Sequence, residues 1–244
     1  MKIQINLAVS VLAAALSTSA FAGTFSDNFS GGLSPADWSV SQTTPGLYSV
    51  STPAGSVGLS LPDPALNPGG FQNVQVNLNL AALGGSVAGD FSTRVGFNNA
   101  IIGPNDDQVQ LNVLFADGST FDDVYDLSSG ENVHVWNGGL QGATGVSATS
   151  GTFAISRSGS SVTGYYDGTA IFTEAESTAL TDVWFSLQNQ PGAQGDSPSV
   201  TFENFSFTAS SVPEPATTAL LSSLGAMSVL VFRIKYPGSP GRRA

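Results

Sequence analysis

The 244-residue sequence predicts an all-β fold: a two-sheet antiparallel jelly-roll sandwich, flanked by an N-terminal signal peptide and a C-terminal transmembrane helix. Three observations carry this reading. Short runs in which apolar and polar residues alternate fill the middle of the chain, and clusters of Gly, Ser, Thr, Asn and Asp punctuate them. No stretch of 11 or more residues there sustains a helical period. Both ends, by contrast, are apolar runs with the flanking residues that direct a chain to a membrane.

Residues 1–22 have the three parts of a secretory leader: Lys2 as the positive start, the apolar stretch Leu7 to Leu16, and Ala20-Phe21-Ala22 as an A-x-A cleavage pattern. Signal peptidase is the partner this implies, and the mature chain is expected to begin at Gly23. Residues 23–211 follow as one domain long enough to bury a sizeable core. Its clearest strands are Val74 to Leu80, Asp90 to Phe97, Gln108 to Phe115, Thr152 to Ser158, Asp182 to Gln188 and Val200 to Phe207. Weaker strand patterns occupy Phe25 to Phe29, Leu47 to Thr52, Phe121 to Leu127 and Val162 to Thr173. Asp117-Gly118 and Asp167-Gly168 are hairpin signals, whereas Pro and Gly between Pro45 and Gly70 mark loops with short edge strands. The absence of a fixed repeat argues against a propeller or a β-helix.

Composition narrows the function. Residues 23–211 contain 17 acidic residues against two basic ones, Arg94 and Arg157, a net charge of −15. Such a surface excludes nucleic acid as a partner. There is no cysteine, so no disulfide staples the fold and its stability rests on core burial.

The tail, residues 212–244, opens with Val212, Pro213, Glu214 and Pro215 and continues as 17 uncharged residues, Ala216 to Phe232. At about 1.5 Å per residue a helix of that length only just reaches across a hydrocarbon core of roughly 30 Å. The two prolines place the helix start after Pro215. The basic stop Arg233, Lys235, Arg242 and Arg243 holds that end in the cytoplasm and leaves the body outside. In order and spacing these elements resemble the PEP-CTERM sorting signal of bacterial exported proteins, over about the last 33 residues. That resemblance implies an exosortase-type membrane protease as partner. It also implies delivery to the cell surface or extracellular matrix of a Gram-negative bacterium, in association with exopolysaccharide and biofilm. The tail departs from the usual pattern in running on through YPGSPG before its final Arg pair.

Within the middle, FSDNFSGGLSPADWSV, FAISRSGSSVTGYYDGTAIFT and VTFENFSFTA resemble the first, late and last strands of the concanavalin A-like lectin and glucanase superfamily. The resemblance implies a jelly roll whose first and last strands lie side by side. It also implies a carbohydrate-binding or adhesive role.

Alternation assigns faces independently. Val183, Phe185 and Leu187 oppose Trp184, Ser186 and Gln188; Val109, Leu111 and Val113 oppose Gln110 and Asn112; Phe91, Thr93, Val95 and Phe97 point inward and leave Arg94 outward. Trp184, Gln188, Arg94, Gln110 and Asn112 are therefore the carbohydrate-binding candidates, because amides and guanidinium satisfy hydroxyls while an indole supplies an apolar platform. A half-solvated sheet also needs outward polar residues for its own sake. Trp38 and Trp136 are expected to pack in the core or under loops.

Catalysis is not expected. Glucanases of the resembled superfamily carry E-x-D-x-E, and the nearest approach is Glu174-Ala175-Glu176, without the central Asp. The single histidine, His134, has no spacing that selects a triad around it. A glycoside hydrolase and a purely structural matrix component remain the alternatives. No cofactor is required. Asp117, Asp122 and Asp126 offer oxygen ligands of the kind calcium prefers, although a solvated acidic edge that discourages strand pairing accounts for the same residues.

Overall fold

The computed structural model describes residues 22–43, 48–62, 72–103, 107–127, 133–145, 149–189 and 197–210. The leader, the VPEP motif, the apolar run and the basic stop lie outside the described residues.

An eight-stranded and a seven-stranded antiparallel sheet form the sandwich. The first is built from β1 (Gly23–Asp27), β3 (Ser49–Ser51), β4 (Val57–Ser60), β6 (Phe91–Ile101), β11 (Gly151–Ser158), β12 (Ser161–Tyr166), β13 (Thr169–Ala175) and β15 (Ser199–Ala209). Its order is β13-β12-β11-β6-β15-β4-β3. The second contains β2 (Trp38–Gln42), β5 (Gln72–Leu78), β7 (Gln108–Phe115), β8 (Thr120–Asp126), β9 (Val133–Trp136), β10 (Leu140–Thr144) and β14 (Leu180–Asn189). Its order is β10-β9-β8-β7-β14-β5-β2. Each of the six strongest alternating runs forms a strand, with ends moved by a few residues. β2 and β10 were not anticipated: β2 has a buried residue only at Trp38, and β10 has Gln141 and Thr144 opposite the buried Val135 and Val133, where an inward apolar pattern would stand.

The first and last strands lie side by side, as expected, with Gly23 opposite Ala209 and Asp27 opposite Phe205. β15 is long enough to pair with β4 through Ser199 to Phe202 on the same edge that β1 uses further along. Asn204, at φ 52°, stands between the two pairings, in the left-handed region that Asn tolerates better than most side chains. The β12–β13 hairpin turns through Asp167-Gly168, at φ 46° and 77°. Two successive positive angles define the type I′ turn whose twist suits a two-residue hairpin.

Inward residues of the two sheets form one core. At one end Phe185 touches four rings: Phe29 at 5.9 Å, Trp38 at 5.6 Å, Phe202 at 4.5 Å and Phe205 at 6.2 Å between centroids. Trp38 is thereby a core residue, as expected, and its indole nitrogen donates to Asp27 Oδ2 at 2.8 Å. At the other end the core contains a carboxyl group. Asp123 is fully buried on the inward face of β8, where it accepts from Tyr165 N at 3.4 Å. Burial holds its pKa well above the usual carboxylate range, with Asp122 adding a smaller push in the same direction.

Gly164, on the facing strand β12, leaves the room this carboxyl occupies. A Cβ there would lie 2.2 Å from Asp123 Oδ1, 2.7 Å from Val135 Cγ2 and 3.0 Å from Phe121 Cε1. Gly164→Ala is therefore expected to destabilise the fold by about 1–3 kcal/mol, the cost of overpacking a closed core. Chemical denaturation would show it as a lower midpoint at unchanged slope.

The outer faces differ in chemistry. On the eight-stranded sheet a single register row carries Thr24, Thr208, Ser92, Ser156, Thr163 and Thr173, one hydroxyl per strand across six strands. On the seven-stranded sheet the outward residues include amides, carboxyls and two indoles among Ser186, Val124 and His134.

Candidate functional site

Strand register sets the outward face of the seven-stranded sheet in rows. Trp184 opposes Asn77 on one side and Asn112 on the other; Asn112 opposes Asp122, and Asp122 opposes Trp136. Directly opposed residues share a face. Trp184, Asn112, Asp122 and Trp136 thus stand in line, with the two indoles three strand spacings apart, roughly 14 Å. The next row carries Gln75, Ser186, Gln110, Val124 and His134, and the third carries Asn73, Gln188, Gln108 and Asp126.

A hydrogen-bonded network links these rows. With the Asn112 amide assigned so that its nitrogen donates to Asp122 Oδ1 at 3.1 Å, its oxygen accepts from Trp184 Nε1 at 3.0 Å and lies 3.1 Å from Ser186 Oγ. Ser186 Oγ is 3.0 Å from Gln110 Oε1; Gln110 Nε2 and Gln188 Nε2 both donate to Gln108 Oε1, at 2.6 Å and 3.0 Å. At the periphery Asn77 Nδ2 donates to Ser41 Oγ at 3.0 Å. The Trp184 ring is therefore fixed by its own nitrogen, and the amides are ordered before any ligand arrives, which lowers the entropy cost of binding.

Electrostatically the face is acidic. Burial pushes the Asp122 carboxyl up to about 7 and raises that of Asp182 as well. His134 is buried, its Nε2 3.6 Å from Asp126 Oδ2.

Of the five sequence-derived sugar-binding candidates, Trp184, Gln188, Gln110 and Asn112 come together on this face. Arg94 does not. It lies on β6 of the other sheet, opposite Ala154 and Ser206, beside a cavity of about 370 Å³ lined with Thr152, Ala154, Asp167 and Gly168. Alternation shows that a residue points outward but not which sheet its strand joins, and Arg94 was grouped with the others for that reason. Trp136 is the converse case. It is not packed away but 44% exposed, beside the equally exposed Leu140. The alternation of VHVW did put His134 and Trp136 on one face; what was missing was the pairing of β9 with β8.

The calcium candidates do not converge. Asp117 sits in the β7–β8 turn, accepting from Ser119 N at 2.9 Å and Ser119 Oγ at 2.7 Å, while Asp122 and Asp126 are four residues apart on β8. Among the described residues no three His or acidic side chains are grouped to hold a metal. Nor is β8 an edge: it is paired on both sides, by β7 and β9, so its acidic residues do not protect a strand edge. Glu174 accepts from Asn137 Nδ2, and Glu176 accepts from Thr178 Oγ1 at 2.8 Å and Ser119 Oγ at 3.0 Å. These carboxylates fasten loops at the β13 end of the other sheet.

No protein-family model and no curated protein matches the chain. Solved structures do match. A native glycosidic hydrolase superposes with a TM-score of 0.60 at 11% identity, over 80% of this chain and 100% of that one. A β-1,3-1,4-glucanase (lichenase) from a mouse hindgut metagenome gives 0.59 at 9% identity, over 76% and 99%. The Bacillus licheniformis β-glucanase gives 0.57 at 14% identity, over 77% and 98%. A sialidase is matched over only 19% of its own length. These similarities show the fold: the described residues form a two-sheet antiparallel jelly roll like that of these glucanases.

Proposed function

We propose that this protein is exported and displayed at the bacterial surface or in the extracellular matrix, where it binds polysaccharide without cleaving it. The observation that carries the reading is the row Trp184, Asn112, Asp122 and Trp136, two indoles with polar groups between them on one sheet face. Indole faces pack on the apolar faces of pyranose rings, while amides donate to and accept from hydroxyls. The PEP-CTERM-like tail, with signal peptidase and an exosortase-type protease as partners, would deliver the protein and anchor or release it.

Hydrolysis is the second reading, and one observation favours it: an Asp122 carboxyl near 7 has the acidity of a general acid. The residue types weigh against it. Asp122 and Asp126 have the four-residue spacing of the outer carboxylates of E-x-D-x-E, but each is a shorter Asp and the position midway between them is Val124, so the central carboxylate is missing.

Retention of the full-length protein on immobilised polysaccharides tests the binding reading. Trp184→Ala and Trp136→Ala are each expected to weaken retention about tenfold, the loss of roughly one aromatic contact. Unchanged retention in both variants would remove this face from the account. Release of reducing ends, abolished by Asp122→Asn, would favour the hydrolase. Sorting has its own test: mass spectrometry of the mature protein should find the chain shortened beyond the VPEP motif, and an intact Ala244 would contradict processing.

A further inference from the structure

We infer that the polysaccharide bound by this face is uncharged, and that polymers of uronic, sialic or sulfated sugars are rejected. The inference rests on the binding reading above and sharpens it to a ligand class. Its basis is the placement of every cation between residues 23 and 211. There are two, Arg94 and Arg157, plus the single His134.

None of the three is available to an anion on the outer face of the seven-stranded sheet. Arg94 projects from the opposite face of the sandwich. Arg157 is buried under the sandwich end. Its Nη2 donates to Val87 O at 2.9 Å, its Nε donates to Gly89 O at 3.0 Å, Nη1 donates to Thr178 O, and the guanidinium lies 5.2 Å from the centre of the Phe91 ring. His134 is on the right face but 1% exposed, with its Nε2 3.6 Å from Asp126 Oδ2. Within residues 23–211, the segments outside the described residues add Asp63, Asp106, Glu131 and Asp196 and neither Lys nor Arg.

A ligand carboxylate or sulfate laid between Trp184 and Trp136 would therefore meet no cation, while Asp122 and Asp182 stand on the same face. An anion without a cation to pair with is disfavoured in a partly desolvated site, and the net charge of −15 over residues 23–211 opposes its approach as well. Neutral hydroxyls suit the network far better. Each hydroxyl both donates and accepts, as an amide does, so a neutral sugar can bond the exposed edges of Gln110 and Gln188, 8% and 9% exposed, without leaving a charge unpaired, while Asn112, 1% exposed, holds Trp184 and Asp122 from beneath.

The test uses the full-length protein in detergent and two panels: neutral polymers (β-1,3-glucan, cellulose oligomers, galactomannan, dextran) and acidic ones (alginate, polygalacturonate, chondroitin sulfate). For the best neutral binder, a sample oxidised to carboxylate at C6 keeps the backbone and adds only charge. The expected result is binding to at least one neutral polymer, weakened by Trp184→Ala and Trp136→Ala, and at least about tenfold weaker binding of the oxidised sample. Acidic polymers should not be retained, with calcium or with chelator. Trp-dependent binding of an acidic polymer as strong as any neutral one, in either condition, would overturn the ligand class while leaving this face as the binding site. Binding to neither panel, or binding indifferent to both Trp substitutions, would overturn the site and the inference with it.

Discussion

Phe185→Ala should cost about 3–5 kcal/mol of folding free energy, the range for emptying a large aromatic position in a closed core. Phe185 is fully buried on the inward face of β14, the strand between β5 and β7. Its ring meets Trp38 from β2, Phe202 and Phe205 from β15, and Phe29 from the turn after β1. Removing it opens a cavity that four rings on three segments cannot jointly close, so the transfer and cavity costs add. The consequence reaches the outer face, because Trp184 and Ser186 flank this position and take their direction from it. Equilibrium denaturation would measure the loss; a change below about 1 kcal/mol would mean that the rings repack and that this end of the sandwich is less tightly packed than it is drawn here.

The second large effect is a pH dependence at Asp122. Its carboxyl is raised from 3.8 to about 7 by burial, so between those values the folded state keeps a proton that the unfolded chain has released. Unfolding then releases that proton, and stability falls as pH rises from about 4 to about 7, levelling off above. Three pH units correspond to about 4 kcal/mol at most; because the residue retains some exposure, solvent screening brings the expected difference to about 2–4 kcal/mol. Asp122→Asn removes the proton and keeps the shape. It should match the wild type near pH 4 and exceed it in stability above pH 7. Asp123, whose pKa is also raised and mainly by burial, contributes a slope of the same sign to both proteins, so their difference reports Asp122 together with its smaller effect on Asp123. Parallel stability curves for the two proteins would show that Asp122 is not held near neutrality.

The fold was largely legible because strand alternation is a local property with a period of two. Val109, Leu111 and Val113 fall on one face and Gln110 and Asn112 on the other whatever the partner strands are, and the structure places them so. Sheet membership is not local. Nothing within Asp90 to Phe97 tells that β6 lies between β11 and β15, which is why Arg94 was grouped with Trp184 although a whole sandwich separates them. Trp136 was misplaced for the same reason. Its row follows from β9 pairing with β8 and β8 with β7, a chain of contacts that no single segment encodes. Asp123 shows a further limit. In TFDDVYD the pattern identifies two adjacent aspartates with opposite directions, but that the inward one is tolerated depends on Gly164, 41 positions further along the chain.

The central claim is that sugar binds across the strands of the seven-stranded sheet. The most direct measurement is a crystal structure of the protein with a bound neutral oligosaccharide. The account predicts pyranose rings stacked on Trp184 and Trp136, with hydroxyls bonded to Asp122 and Gln110 between them. Oligosaccharide seated instead on the Ser and Thr face of the other sheet, or in the cavity beside Arg94, would contradict it.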